Sequence, residues 1–208
     1  MKETPLWYHL LRELAIIIFK GLFNIKIQGK ENIPPKGGVI LASNHLSYLD
    51  PIVIGLLVSR RINFMAKREL FENPLFGCVI SKLGAFPVRR ERLDRETYQR
   101  ALGLLKKGKI LVLFPEGTRS QKGNLGHLRE GTARIAVRTK VPLIPVVIRG
   151  TDKALPRGKK IVRLARIKVR IGKPLESEPL YEGKDIKRKV QRLHQRLERS
   201  MKTLVERP

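Results

Sequence analysis

The chain has 208 residues, of which 44 are Lys or Arg and 18 are Asp or Glu, so its formal net charge is +26. This length predicts one domain, and a hydrophobic content of 42% is enough to build a core, which excludes a wholly disordered basic tail. The single cysteine excludes a disulfide framework, and the four histidines lack metal-ligand spacing, so we expect no metal site.

The excess of positive charge indicates an anionic partner without identifying it. Nucleic acid, an anionic membrane surface, a phosphorylated substrate and an acidic carrier protein all fit. An aromatic content of 6% and the lack of any known nucleic-acid-binding motif argue against nucleic acid.

An amphipathic helix is predicted near the N-terminus, in a segment 1–28 that we separate from a domain of residues 29–208. The longest uncharged apolar run there, residues 14–19, is shorter than the roughly 20 residues that span a membrane. We expect the helix to lie in the membrane interface, with docking on the protein's own core as the alternative. One face of this helix carries Trp7, Leu10, Leu11, Leu14, Ile18, Leu22 and Ile25.

The rest of the chain alternates apolar strands with helical segments. This pattern predicts a single α/β domain with a largely parallel central sheet flanked by helices. The C-terminal helix is basic, with an apolar face of Ile186, Val190, Leu193, Leu197, Met201 and Leu204. The predicted strands are residues 37–42, 62–66, 85–88, 110–114, 143–148 and 167–171, and the predicted helices before the C-terminal one are 50–58, 74–83, 93–107 and 130–139.

The loop after the first predicted strand, residues 44–50, carries His45 and Asp50. Ligands of open α/β sheets bind at the carboxyl ends of strands, where this loop is expected. A tight return would let Asp50 accept a hydrogen bond from His45 and leave the other ring nitrogen free to take a proton. Asp50 before Pro51 is also the pattern of a helix N-cap, so the spacing leaves both roles open.

A second loop, residues 114–120, follows the strand of residues 110–114. Gly117 permits a turn that other residues resist, and Arg119 offers a planar fork that suits phosphate. Glu116 is placed to orient a substrate hydroxyl or to hold a neighbouring arginine. Alone, the loop is a weak prediction of an anion site.

Four blocks in order give these loops a family resemblance. Asn44, His45 and Asp50 match an NHxxxxD motif, and residues 114–120 read FPEGTRS. Residues 84–90 match Gly-x-x-(Phe/Pro)-(Ile/Val)-x-Arg, and residues 141–146 match a Val-Pro-x-Ile-Pro-Val strand. The chain thus resembles the glycerophospholipid acyltransferases, most closely the 1-acylglycerol-3-phosphate acyltransferases. It departs from many members at Leu128-Arg129, where they carry Phe-Lys.

The resemblance implies transfer of an acyl group from acyl-CoA or acyl carrier protein to the free hydroxyl of lysophosphatidate. The product would be phosphatidic acid, in phospholipid biosynthesis, with His45 as general base oriented by Asp50. No cofactor is expected, because the acyl thioester is itself a substrate. The sequence has no GxSxG motif for an acyl-enzyme, and Cys78 is predicted to be a small buried side chain.

The resemblance also suggests which residues bind the acceptor. Arg90 and Arg119 are the first candidates for its phosphate, Lys67 is a further one, and Glu116 and Gly117 would shape its site.

The expected partners are membrane lipids, lysophosphatidate and the acyl donor, and not nucleic acid. The expected location is peripheral or monotopic, at the cytoplasmic face of the cell membrane. The alternatives are another lysolipid acceptor, a nucleic-acid-binding module and a lipid-binding scaffold without catalysis.

Overall fold

A computed structural model describes residues 5–88, 94–120, 124–176 and 186–206. Its strands are β1 (Lys26–Gln28), β2 (Val39–Ser43), β3 (Ile62–Lys67), β4 (Ala85–Val88), β5 (Ile110–Leu113), β6 (Leu143–Arg149) and β7 (Lys168–Ile171). Its α-helices are α1 (Leu6–Phe23), α2 (Asp50–Leu57), α3 (Pro74–Lys82), α4 (Arg95–Lys106), α5 (Gly131–Thr139), α6 (Thr151–Ala154) and α7 (Ile186–Glu206). Short 3₁₀ turns cover Lys30–Asn32 and Arg68–Phe71.

The strands form one sheet in the order β1-β7-β6-β2-β5-β3-β4. All neighbouring pairs are parallel except β6 and β7, which are antiparallel. The central strands β2 and β5 are buried at every residue, as continuous apolar runs between two helical layers should be. The predicted single α/β domain with a largely parallel sheet is confirmed.

Helices cover both faces of the sheet. On one face α1 and α2 pack over the sheet in a cluster that includes Phe19, Phe23 and Val53. On the other face α4, α5 and α7 pack in a second cluster. The predicted apolar face of α7 is buried from Val190 to Leu204, whereas its first member, Ile186, is 50% exposed.

The N-terminal helix α1 docks on the protein through the face opposite the predicted one. Tyr8, Phe19 and Phe23 are buried, and the Arg12 guanidinium donates hydrogen bonds to the Leu56 and Val58 carbonyl oxygens. The predicted apolar face stays exposed at Trp7, Leu10, Leu11, Leu14, Ile18 and Leu22. Among the described residues, no helix is both long and apolar enough to cross a membrane.

Three features differ from the sequence-based expectations. Strand β1 was not predicted, and its pairing with β7 means that the sheet begins inside the segment 1–28; the division at residue 28 itself stays a prediction. The four-residue helix α6 was not predicted either. Cys78 was expected to be buried, but α3 exposes it together with Leu75, Phe76 and Val79.

Candidate active site

The carboxyl ends of two adjacent central strands, β2 and β5, position the candidate site. The chain leaves β2 over one face of the sheet, through α2, and leaves the adjacent β5 over the other face, through α5. Neighbouring parallel strands whose connections diverge in this way open a crevice at their carboxyl ends. His45 follows β2 and Glu116 follows β5, so both predicted loops meet there.

His45 and Asp50 form a hydrogen-bonded pair, as the spacing predicted. The distance from His45 Nδ1 to Asp50 Oδ2 is 2.8 Å, with the carboxylate fully buried and the imidazole 18% exposed. A carboxylate only accepts hydrogen bonds, so Nδ1 is the donor of this pair, and in the neutral imidazole the lone pair then lies on Nε2. This arrangement equips Nε2 to take a proton from a bound hydroxyl.

The alternative role of Asp50 as a helix N-cap is wrong. Leu49 is the N-cap of α2, and no side chain caps that end. The Asp50 carboxylate turns back into its own loop, where Oδ2 accepts the Leu46 and Ser47 backbone N–H groups at 2.7 and 2.8 Å. Its other oxygen, Oδ1, accepts the Thr151 hydroxyl at 2.6 Å.

The second loop holds His45 in place from three directions. The Phe114 ring stacks on the imidazole, with the centroids 4.1 Å apart and 21° between the planes. The His45 backbone N–H donates to Glu116 Oε1 at 2.9 Å, and its carbonyl oxygen accepts the Ser120 N–H at 2.8 Å. The FPEGTRS block therefore positions the histidine of the NHxxxxD block.

Glu116 links three loop segments. Its second oxygen, Oε2, accepts the Gly126 N–H at 3.0 Å, and a side chain at position 126 would lie 2.8 Å from that oxygen. Burial raises the pKa of the Glu116 carboxyl, while the N–H groups of His45 and Gly126 lower it in part. The structure gives Glu116 a positioning role, and contact with the acceptor stays a prediction.

The predicted cations differ in their surroundings. The Arg119 guanidinium stacks on the Tyr48 ring, whereas Lys67, at the end of β3, pairs with Glu69 at 2.6 Å. Arg90 lies outside the described residues.

A further arginine lies at the second loop. The Arg129 guanidinium packs over Gly117, whose φ of +72° suits glycine. In the sequence, Arg129 stood out only as part of a departure from the family pattern.

The loop of residues 44–50 also makes hydrogen bonds to the carboxyl end of β6 and to the segment that follows it. The Asn44 side chain makes two hydrogen bonds to the Ile148 backbone, of 2.9 and 2.7 Å, and Ser47 Oγ donates to the Leu155 carbonyl at 2.9 Å. Sequence reasoning missed these contacts and that of Thr151, because the partners are more than 100 residues apart. Only Asn44, as a member of the NHxxxxD block, carried a signal.

Metal ligands are not brought together in the part of the chain that the structure describes. Within those ranges, no three His, Cys, Asp or Glu residues lie close enough to share an ion.

The chain is similar in sequence to a known protein family and to named proteins. A family model described as Acyltransferase matches residues 24–149. A 1-acyl-sn-glycerol-3-phosphate acyltransferase of Bacillus subtilis is 35% identical over 152 residues, which are 73% of this chain and 73% of that protein. A chloroplastic 1-acyl-sn-glycerol-3-phosphate acyltransferase of Arabidopsis thaliana is 33% identical over 81% of this chain, which spans only 49% of that protein.

A solved structure shares the whole architecture. The crystal structure of the 1-acyl-sn-glycerophosphate (LPA) acyltransferase PlsC from Thermotoga maritima superposes with a TM-score of 0.77 at 27% identity. The match covers 97% of this chain and 80% of that one, so it includes α1 as well as the sheet.

Proposed function

This chain belongs to the acyltransferase family, and we propose that it acylates the free hydroxyl of 1-acylglycerol-3-phosphate to give phosphatidic acid. The observation that carries the proposal is the pair of His45 Nδ1 and Asp50 Oδ2 at 2.8 Å, which leaves Nε2 available at the strand ends. The names of the relatives support the choice of acceptor.

The proposed reaction uses the imidazole that Asp50 orients. Nε2 takes the proton of the acceptor hydroxyl while the hydroxyl oxygen attacks the thioester carbonyl carbon, and Asp50 stabilises the imidazolium that forms. The tetrahedral intermediate then breaks its carbon–sulfur bond, and the imidazolium returns the proton to the leaving thiolate. A positioned general base contributes about 10²–10⁴-fold to such a step. The thioester supplies the activated acyl group, so the proposed reaction uses no cofactor.

Arg119 is the proposed phosphate ligand, assisted by Arg90. Among the described residues, the Arg119 guanidinium has no hydrogen bond or ion pair; it only stacks on Tyr48, and its donors are available to an anion. Arg129 brings a further positive charge to the Gly117 turn. Lys67 is the weaker candidate because Glu69 already neutralises it.

The exposed face of α1 is the proposed membrane contact. Burying a large apolar side chain contributes about 1.5–3 kcal/mol, and six such side chains of the predicted face lie open on α1, among them Leu14 at 54% and Ile18 at 45%. The helix is also held to the core by Tyr8, Phe19 and Phe23, which would keep the acceptor crevice at a fixed place relative to the bilayer. We place the enzyme at the cytoplasmic face of the cell membrane, where acyl-CoA and acyl carrier protein are found.

Thiol release by the purified chain tests the proposal. Acyl-CoA and acyl carrier protein are each offered with 1-acylglycerol-3-phosphate, glycerol 3-phosphate, lysophosphatidylcholine or monoacylglycerol, and the products are identified by mass spectrometry. The expected result is phosphatidic acid, formed fastest from 1-acylglycerol-3-phosphate. Faster acylation of another acceptor would correct the proposed acceptor. If none of the four acceptors supported thiol release, the proposal would be refuted.

A further inference from the structure

A threonine from the far side of the chain completes the hydrogen bonding of the Asp50 carboxylate. The Thr151 hydroxyl lies 2.6 Å from Asp50 Oδ1, and both residues are 0% exposed. Thr151 is in none of the four sequence blocks and lies beyond the residues 24–149 that the family model matches. We propose that Thr151 is a positioning residue that fixes Asp50, and through it His45, for acyl transfer; this inference rests on the proposed function.

The two oxygens of the carboxylate have different tasks. Oδ2 accepts three donors, the Leu46 and Ser47 N–H groups and His45 Nδ1, all of which lie in its own loop. Torsion about the last bond of an aspartate is soft, so contacts to one oxygen leave the plane of the group free to rock. The Thr151 hydroxyl holds the other oxygen, and a hydrogen bond of this length to a charged acceptor is among the strong ones. The direction in which Oδ2 meets His45 is thereby set.

Thr151 itself sits on a rigid support. It is the first residue of α6, separated from β6 by Gly150 alone, and the Asn44–Ile148 hydrogen bonds tie the end of β6 to the end of β2. Gly150 turns the chain there with φ of +92°, and a side chain at that position would lie 2.0 Å from the Arg166 carbonyl oxygen. The hydroxyl is therefore presented to Asp50 by a backbone that cannot shift easily.

The chemistry of the position favours this role over simple packing. Valine has the same shape as threonine and would fill the same buried space without a polar atom. Among the described residues, the only hydrogen-bond acceptor of the Thr151 hydroxyl is the carboxylate that orients His45. Because Thr151 is fully buried, we expect it to act on turnover through its hydrogen bond to Asp50 and not through contact with a substrate.

Isosteric substitution tests the proposal in the full-length enzyme. Thr151→Val should lower kcat for thiol release about tenfold and change the KM of either substrate less than twofold, whereas Thr151→Ser should restore most of the native kcat. Thr139→Val is the control, because the half-buried Thr139 hydroxyl also donates a hydrogen bond, to the Ile135 carbonyl at 2.7 Å, but at the end of α5 that lies away from the candidate site. The control should leave kcat unchanged.

A double variant separates positioning from general destabilisation. On an Asp50→Asn background, Thr151→Val should change the remaining kcat less than twofold, because the group it positions has already been altered. A native kcat in folded Thr151→Val, or the same tenfold loss on the Asp50→Asn background, would overturn the inference. If Thr151→Val does not fold, Thr151→Ala, which is smaller than the native residue, gives the same comparisons.

A measurement independent of turnover keeps this inference distinct from the proposed function. The proton on His45 Nδ1 should give a low-field NMR resonance that moves in Thr151→Val and returns to its native position in Thr151→Ser. An unchanged resonance in Thr151→Val would contradict the inference even if the native chain proved to acylate another molecule. Inactivity of the native chain towards every lysolipid, with the resonance responding as expected, would refute only the proposed reaction.

Discussion

The Arg119 guanidinium lies over the Tyr48 ring, with 3.8 Å between Cζ and the ring centroid. Tyr48 belongs to the His45–Asp50 loop and Arg119 to the loop after β5, so this contact joins the two halves of the site. A cation–π contact at a half-exposed site is worth about 0.5–1 kcal/mol. We therefore predict that Tyr48→Leu raises the acceptor KM about two- to fivefold in steady-state kinetics, and that Tyr48→Phe, which keeps the ring, leaves it unchanged. A rise of equal size in both variants would assign the effect to the hydroxyl instead.

Removal of the arginine itself should affect only phosphorylated acceptors. A charge-assisted hydrogen bond contributes about 1.5–3 kcal/mol, so Arg119→Ala should raise the KM for 1-acylglycerol-3-phosphate at least tenfold and the donor KM little. Monoacylglycerol, which lacks the phosphate, should be a poor substrate for the native enzyme and lose little more in the variant. Equal losses on both acceptors would make Arg119 a structural residue.

The buried Glu116 carboxyl should make the free energy of unfolding depend on pH. Its pKa is raised by burial, so the folded protein holds this proton more tightly than the unfolded chain. The contribution of the group to the free energy of unfolding therefore falls as the pH rises from its ordinary value of 4.5 through the raised folded pKa. The thermal midpoint of the native protein, measured relative to Glu116→Gln, should fall across that window. A relative midpoint that rises with pH would contradict the assignment.

Charge placed on the exposed face of α1 should weaken membrane binding. Leu14→Asp and Ile18→Asp each replace a half-exposed apolar side chain, and each should reduce cosedimentation with anionic liposomes while thiol release from a dispersed short-chain acceptor survives. Ile186→Asp is the matched control, since Ile186 is equally exposed at 50% but starts α7 on the opposite face of the sheet. Liposome binding that falls equally in all three variants would reflect net charge alone.

The part of the fold that could be predicted is the part that buries continuous apolar runs. Strands β2, β5 and β6 can be predicted because helices cover both faces of the sheet there, which requires an apolar residue at nearly every position. Strand β1 has three exposed residues and α6 has four residues in all, so neither carries a readable period. For α1 the period was correct, but a helix with apolar residues on two sides does not reveal which side meets the protein.

The site was predictable in its residues and not in its contacts. His45 and Asp50 could be paired from their spacing, yet the same spacing allowed an N-cap, because sequence does not say which way a carboxylate turns. The Glu116 hydrogen bond to the His45 backbone, and that of Thr151 to Asp50, join positions 71 and 101 residues apart. Such contacts exist only once the sheet has placed the ends of β2, β5 and β6 side by side.

The most direct test of the account is the kcat for thiol release by His45→Ala at saturating donor and 1-acylglycerol-3-phosphate. With the general base removed, kcat should fall by about 10²–10⁴-fold while the circular dichroism spectrum stays native. His9→Ala, which removes a histidine from α1, should keep the native kcat. A folded His45→Ala protein that turns over at the native rate would contradict the assignment of His45 as the base.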